Sequence, residues 1–282
     1  MHDTNYTIRT MERKEINLAV EWGAREGWNP GLHDSECYSV ADPNGFLIGL
    51  LGDEPISTVS AIRYDASFGF LGFYIVKPEC RGKGYGIQIA NAAFNRLEGR
   101  NMGLDGVVEQ QENYKRVGFK LAHRNIRYQG TGGSSHHGPE IFRLSSLPFE
   151  TVDTYDRPFS PAYRPAFIKS WISQPDSHAL GIMQNGNLAG YGVIRQCRTG
   201  FKIGPLYADN PELAESLFLA LISQVGPSEQ VYLDVPEINR EAVALAHHHK
   251  MTVSFETARM YNEEVPRLPL HRVFGVTSFE IG

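Results

Sequence analysis

The chain has 282 residues, 41% hydrophobic and 21% charged, ordinary values for a folded protein long enough to bury one or two cores. Its 27 Lys and Arg against 32 Asp and Glu give a formal net charge of −5, a poor balance for gripping phosphate backbones, so nucleic acid is not an expected partner. No apolar run approaches the ~18 residues of a membrane span, no apolar leader opens the chain, and Cys37, Cys80 and Cys197 form no CxxC pair; the expectation is a cytoplasmic protein with no membrane, disulfide framework or metal.

Residues 6–11 read as a strand, followed by a helix that places Ile16, Val20 and Ala24 on one face. Glu26-Gly27-Trp28-Asn29-Pro30-Gly31 breaks that helix, and a short helix is expected at 35–38. Strands at 46–51, 56–64 and 68–76, separated by turns, predict an antiparallel meander. Next comes Arg81-Gly82-Lys83-Gly84-Tyr85-Gly86, then an amphipathic helix carrying Ile89, Ala93, Phe94 and Leu97. A strand at 104–108, a helix near 113–117 and strands reaching Tyr128 complete the first half. Residues 130–139 (GTGGSSHHGP) have little to bury and read as a link.

The second half reads as a repeat. Arg63 and Arg195 both end strands, and Gly72 and Gly204 keep the same offset, 204 − 72 = 132. Helices at 211–225 and 239–248 and strands at 230–235 and 252–260 then match the first half in order. The predicted organisation is a domain at 1–130, a linker at 131–147 and a diverged copy at 148–282.

The glycine run between a strand and a helix is an anion cradle. Glycines let backbone N–H groups approach oxygens, the helix start adds donors and a positive dipole end, and Arg81 and Lys83 add charge suited to a diphosphate. It is not a P-loop, because GxxxxGK[ST] is absent. Asp105 stands where a dinucleotide fold keeps its ribose acid, but the spacing is GxGxG and the preceding strands are antiparallel.

Val76, Pro78, Arg81, Gly82, Gly84 and Gly86 together resemble the acetyl-coenzyme A loop of the GCN-five-related N-acetyltransferases (GNAT), whose [RQ]-x-x-G-x-[GA] falls on Arg81, Gly84 and Gly86. Tyr114-Lys115-Arg116-Val117-Gly118-Phe119 resembles the family's Tyr-x-x-x-Gly-Phe. The second half is similar to the YitH-type acetyltransferase domain, through residues 191–195, 202–209, 233–239, 258–261 and 275–280. The fold class implied is α/β (α+β): tandem GNAT-like folds, each with a mixed, largely antiparallel central sheet flanked by helices.

The resemblance implies direct attack of an amine on the thioester of acetyl-CoA, the cosubstrate, in a ternary complex. It implies a cofactor cradle at Arg81, Gly82, Lys83, Gly84, Tyr85 and Gly86, an oxyanion donor from the backbone near Ile75 or Val76, and Tyr114 as the acid for the leaving thiolate. Val107 stands where many members carry Asn, with Gln110 the nearest amide, and Glu109 reads as a solvated carboxylate, so no base is assigned. The loop after the first helix borders the acceptor in this family: Trp28 is an apolar wall or a core plug, and Asn29 and Asp34 are candidate contacts to an amine. His136-His137 and His247-His248-His249 carry no metal expectation, the latter complementing a helix end. At the 132 offset, Arg81, Gly82 and Gly84 become Leu213, Ala214 and Ser216, so the second copy is expected not to bind coenzyme A. The function expected is an N-acetyltransferase for a small-molecule or peptide primary amine, the alternative being a non-catalytic acyl-CoA sensor. Oligomeric state is left open.

Overall fold

The computed structural model describes residues 5–134 and 141–282, so His136, His137 and part of the expected linker lie outside the described residues. The first half opens as the expected meander: β1 (Tyr6–Thr10), β2 (Phe46–Leu51), β3 (Glu54–Arg63) and β4 (Phe68–Val76) pair antiparallel in that order. Helices α1 (Ile16–Arg25) and α2 (Asp34–Ala41) lie between β1 and β2; α1 buries Ile16, Ala19, Val20 and Gly23, a helical stripe. After β4 come α3 (Tyr85–Arg96), β5 (Asn101–Val107) parallel to β4, α4 (Gln111–Arg116) and β6 (Lys120–Thr131).

The second half supplies β7 (Ile141–Arg143), α5 (Phe149–Asp156), α6 (Pro165–Trp171), β8 (Ser177–Gln184), β9 (Asn187–Gln196) and β10 (Phe201–Ala208). It continues with α7 (Pro211–Ile222), β11 (Gln230–Pro236), α8 (Arg240–His248), β12 (Thr252–Tyr261) and a short β13 (Val273–Gly275). From β8 to β12 the order of strands and helices repeats that from β2 to β6.

The copies are joined more intimately than two adjacent domains. One sheet of 13 strands runs through the described residues in the order β1-β2-β3-β4-β5-β12-β6-β11-β10-β9-β8-β7, with β13 on β10. The last strands of the two copies are exchanged: β12 inserts beside β5, and β6 pairs with β11 over Asn125–Thr131. β6 and β12 then pair with each other along the middle of the sheet. Each half therefore finishes its sheet with the other's strand.

On one face α1, α2, α5 and α6 share a single core, where Tyr38, Phe46 and Phe73 meet Phe167, Trp171, Tyr191 and Phe279. On the other face α3 covers the first half through Ile89, Ala93 and Leu97, and α7 and α8 cover the second. The C-terminal segment crosses beneath the sheet between halves. A Cβ at Gly72 would collide with the Glu280 carbonyl oxygen, and one at Gly204 would lie 2.7 Å from that of Thr277. The matched glycines thus have one physical reason: a backbone passes over each.

Candidate functional site

β4 and β5 pair only from Phe68 to Leu71 against Asn101 to Leu104, and then part. The parting begins at a bulge: Ser60 faces Gly72 and Thr58 faces Ile75, so Val59 opposes two residues, Phe73 and Tyr74. Phe73 has φ 45°, a strained value for a bulky side chain and the kind of outlier that gathers at functional sites. Beyond it, among the described residues, no strand pairs with Tyr74, Ile75 and Val76 on the side toward β5. A wedge-shaped opening with an unpaired strand edge results.

The glycine loop stands at the mouth of this wedge. Gly82 (φ 75°) and Gly84 (φ 86°) are left-handed, and a Cβ at either would meet nothing within 4 Å, so the backbone faces open space. Gly84 is the N-cap of α3, and no side chain caps it; a helix start lacks intrahelical partners for its first N–H groups. At Gly86 a Cβ would fall 2.6 Å from the Tyr74 hydroxyl, so glycine there lets that phenol reach the helix start. The Tyr85 side chain turns away into a small core against Tyr6, ring centroids 4.8 Å apart. Arg81 donates from Nε to the Val76 carbonyl at 2.9 Å and pairs with Glu26 at 2.7 Å, so it braces the end of β4 as well as adding charge. Lys83 is exposed and forms no ion pair among the described residues.

Tyr114, on α4, lies against β5. A Cβ at Gly106 would collide with its ring, and Phe119 meets it edge-on at 6.3 Å. Among the described residues its hydroxyl makes no hydrogen bond. Burial pushes its pKa up to about 12, with a smaller push from Tyr74, so it holds its proton throughout the neutral range. Tyr74 was not singled out in the sequence, where nothing distinguishes it from the other aromatic residues of its strand.

The acceptor-loop residues divide. Trp28 is half-buried and rests on Phe73, ring centroids 6.1 Å apart, beside the bulge. Its carbonyl accepts from Arg127 at 2.7 Å and Lys202 at 3.4 Å. Asn29 uses its amide on the second half instead, donating to the Thr199 carbonyl at 2.9 Å and accepting from the Thr199 N–H at 3.0 Å. Asp34 corrects the sequence reading: it is fully buried, pairs with Arg195 at 2.8 Å and accepts from the Gly31 N–H and the Tyr38 hydroxyl, leaving it no role at a surface pocket. Asp105 is likewise buried, against Arg259 of the exchanged strand.

The second half repeats the bulge and fills the wedge. Ile203 faces Ile194 and Leu206 faces Gly192, so Val193 opposes Gly204 and Pro205. β10 and β11 pair only over Phe201–Ile203, and into the gap comes β13, paired with Leu206 and Tyr207. The Val276 N–H donates to the Asp234 carbonyl of β11 at 2.9 Å, closing the other side. α7 carries its own N-cap, the Asn210 side chain accepting from the Leu213 N–H at 2.9 Å. The chain's own backbone thus occupies the position that is open in the first half.

Away from both wedges, Glu215, His248 and His249 bring three atoms able to ligate a metal within 4.8 Å of one another. The sequence reading of His248 and His249 as partners of a helix end accounts for their position at the close of α8, but not for their convergence on Glu215.

Residues 11–119 match the model of the Acetyltransferase (GNAT) family, and residues 152–275 that of an Acetyltransferase (GNAT) domain. A holothin acyltransferase from Pseudoalteromonas sp. (strain SANK 73390) is 31% identical over all 282 residues, covering 96% of that protein. The chain belongs to the GNAT acetyltransferase family. A structure from Pyrococcus horikoshii, assigned provisionally as an acetyltransferase, superposes on this tandem GNAT protein with TM-score 0.84 at 20% identity, covering 100% of this chain and 98% of that one. A tandem GNAT protein from the clavulanic acid biosynthesis pathway superposes with TM-score 0.65 at 12% identity, over 93% of this chain and 99% of that one. With both halves matched, the GNAT protein is an acyltransferase, and the wedge with its glycine loop lies in the half that matches residues 11–119.

Proposed function

We propose that this GNAT protein transfers an acetyl group from acetyl-CoA to a primary amine on a small molecule, using only the wedge of the first half. The observation that carries the reading is the contrast between wedges: the first presents an unpaired strand edge and an uncapped, glycine-entered helix, the second is filled by β13. The likeness of the whole chain to a holothin acyltransferase favours a small-molecule acceptor over a peptide.

In this reading the diphosphate of coenzyme A rests on Gly82 to Gly86 with Lys83 as its mobile cation, and Arg81 holds Val76 in place. Coenzyme A carries two amides along its arm, which match the unpaired edge of Tyr74 to Val76. The thioester then lies near Ile75, whose N–H, or that of Val76, receives the oxyanion. The amine nitrogen bonds to the carbonyl carbon, the carbon–sulfur bond breaks, and Tyr114 gives its proton to sulfur. No acyl-enzyme is needed, and Cys37, Cys80 and Cys197 are all buried.

The test is release of free thiol from acetyl-CoA with a panel of primary amines. Turnover on small amines is expected; tight acetyl-CoA binding without turnover on any amine would instead support a sensor.

A further inference from the structure

On the second half, the side chain of Glu215 on α7 reaches the end of α8. Its Oε1 stands 3.6 Å from His248 Nε2 and 3.2 Å from His249 Nε2. Among the described residues Glu215 forms no ion pair with a lysine or an arginine, so this carboxylate faces imidazoles alone.

Two adjacent histidines do not ordinarily converge, because successive helical residues point about 100° apart. Here the helix ends between them: His248 is the last residue of α8, and His249 is its C-cap with φ −86° and ψ 16°. Lys250 follows at φ 56°, where the chain turns toward β12. The two rings meet edge to face, with centroids 5.0 Å apart and planes at 84°. Phe218, one turn after Glu215 on α7, packs on the His249 ring at 4.8 Å and fixes it beside the carboxylate. His247 packs instead on Tyr128 of β6, centroids 5.5 Å apart.

These separations match ligands around one ion. With zinc–nitrogen and zinc–oxygen bonds of about 2.0–2.2 Å, tetrahedral ligand atoms stand about 3.3–3.6 Å from one another. Both distances from the carboxylate fall close to that range. The imidazole nitrogens lie within 4.8 Å of each other, and the His248 side chain, 72% exposed, is free to rotate and close the remainder.

We infer that Glu215, His248 and His249 form a binding site for a divalent transition-metal cation, zinc above all, with water completing the coordination. Two imidazoles and a carboxylate are zinc's own donor types, whereas calcium and magnesium call for a shell of oxygens. The ion would clasp α7 to the end of α8, just before β12 begins its run into the sheet of the first half. The site stands apart from the wedge and is independent of the acyl-transfer reading.

The experiment takes the intact, untagged chain, strips it with a chelator, and titrates it with Zn²⁺ and with Mg²⁺. Bound metal is read by equilibrium dialysis and stability by thermal denaturation. Wild type is expected to bind one zinc at this site and to melt at a higher temperature with zinc, and not to respond to magnesium. His248→Ala and Glu215→Gln, both at partly exposed positions, are each expected to lose about tenfold or more in zinc affinity, a loss that even the outer partners of a metal ligand can cause. His247→Ala is expected to bind zinc as wild type does. Wild type that binds no zinc, or zinc affinity unchanged in both His248→Ala and Glu215→Gln, overturns the inference. So does an equal loss in His247→Ala, which would make the effect one of helix stability rather than of ligation.

Discussion

Arg259, on β12 of the second half, grips Asp105 on β5 of the first, with Nε and Nη2 3.0 and 2.5 Å from the two carboxylate oxygens. Arg127 on β6 grips Asp234 on β11 in the mirrored sense, at 2.7 and 2.8 Å. Both pairs lie where an exchanged strand meets its host, and both are buried. Asp105→Ala would leave Arg259 as an uncompensated buried charge, at an expected cost of about 3–5 kcal/mol. Because the exchange makes the halves interdependent, Trp22 and Trp28 in the first half and Trp171 in the second should report one coincident urea transition. Two separated transitions in single-tryptophan variants would contradict this.

Tyr114→Phe removes the hydroxyl and keeps the ring against Gly106 and Phe119. Thiol release with a good amine acceptor should slow by about 10²-fold or more, while acetyl-CoA binding changes little. Stopped-flow thiol detection beside a binding titration separates the two effects.

His123 is buried on β6, and burial, followed by the charge of Arg259, pulls its pKa from 6.5 down to about 4. The unfolded chain therefore binds this proton first on acidification. The contribution to stability is complete above pH 6.5 and lost as pH falls through the interval down to about 4, amounting to up to about 3 kcal/mol. His123→Gln should flatten that part of a plot of urea midpoint against pH; an unchanged slope would place the acid sensitivity elsewhere.

Gly72→Ala puts a Cβ into the Glu280 carbonyl, which belongs to a crossing backbone segment with little freedom to yield. A loss of about 1–3 kcal/mol is expected, with activity falling more than stability requires. Gly82→Ala meets open space, and its cost is the left-handed backbone alone, about 1 kcal/mol. Thermal denaturation of the two variants checks the order.

Much of this was legible from residue patterns. The meander announced itself through short alternating runs and turns, and the cradle through glycines between a strand and a helix. The duplication showed in Gly72 and Gly204, although not its cause, since the segment crossing both glycines comes from over 70 residues further along the chain. The strand exchange had no local signal at all: β6 and β12 alternate in the same way whichever neighbour they pair with. Asp34 was hidden for a related reason. A polar residue in a loop suggests ligand contact, and only the docking of that loop on Arg195 shows Asp34 buried where the halves join.

One wedge is open and the other is filled by β13. Calorimetric titration of the intact chain with acetyl-CoA tests this most directly, run beside Gly84→Val, which strains the φ 86° N-cap of α3 and closes the cradle. The expected result is one site per chain, lost in the variant. Two sites per chain, or one that survives Gly84→Val unchanged, would contradict it.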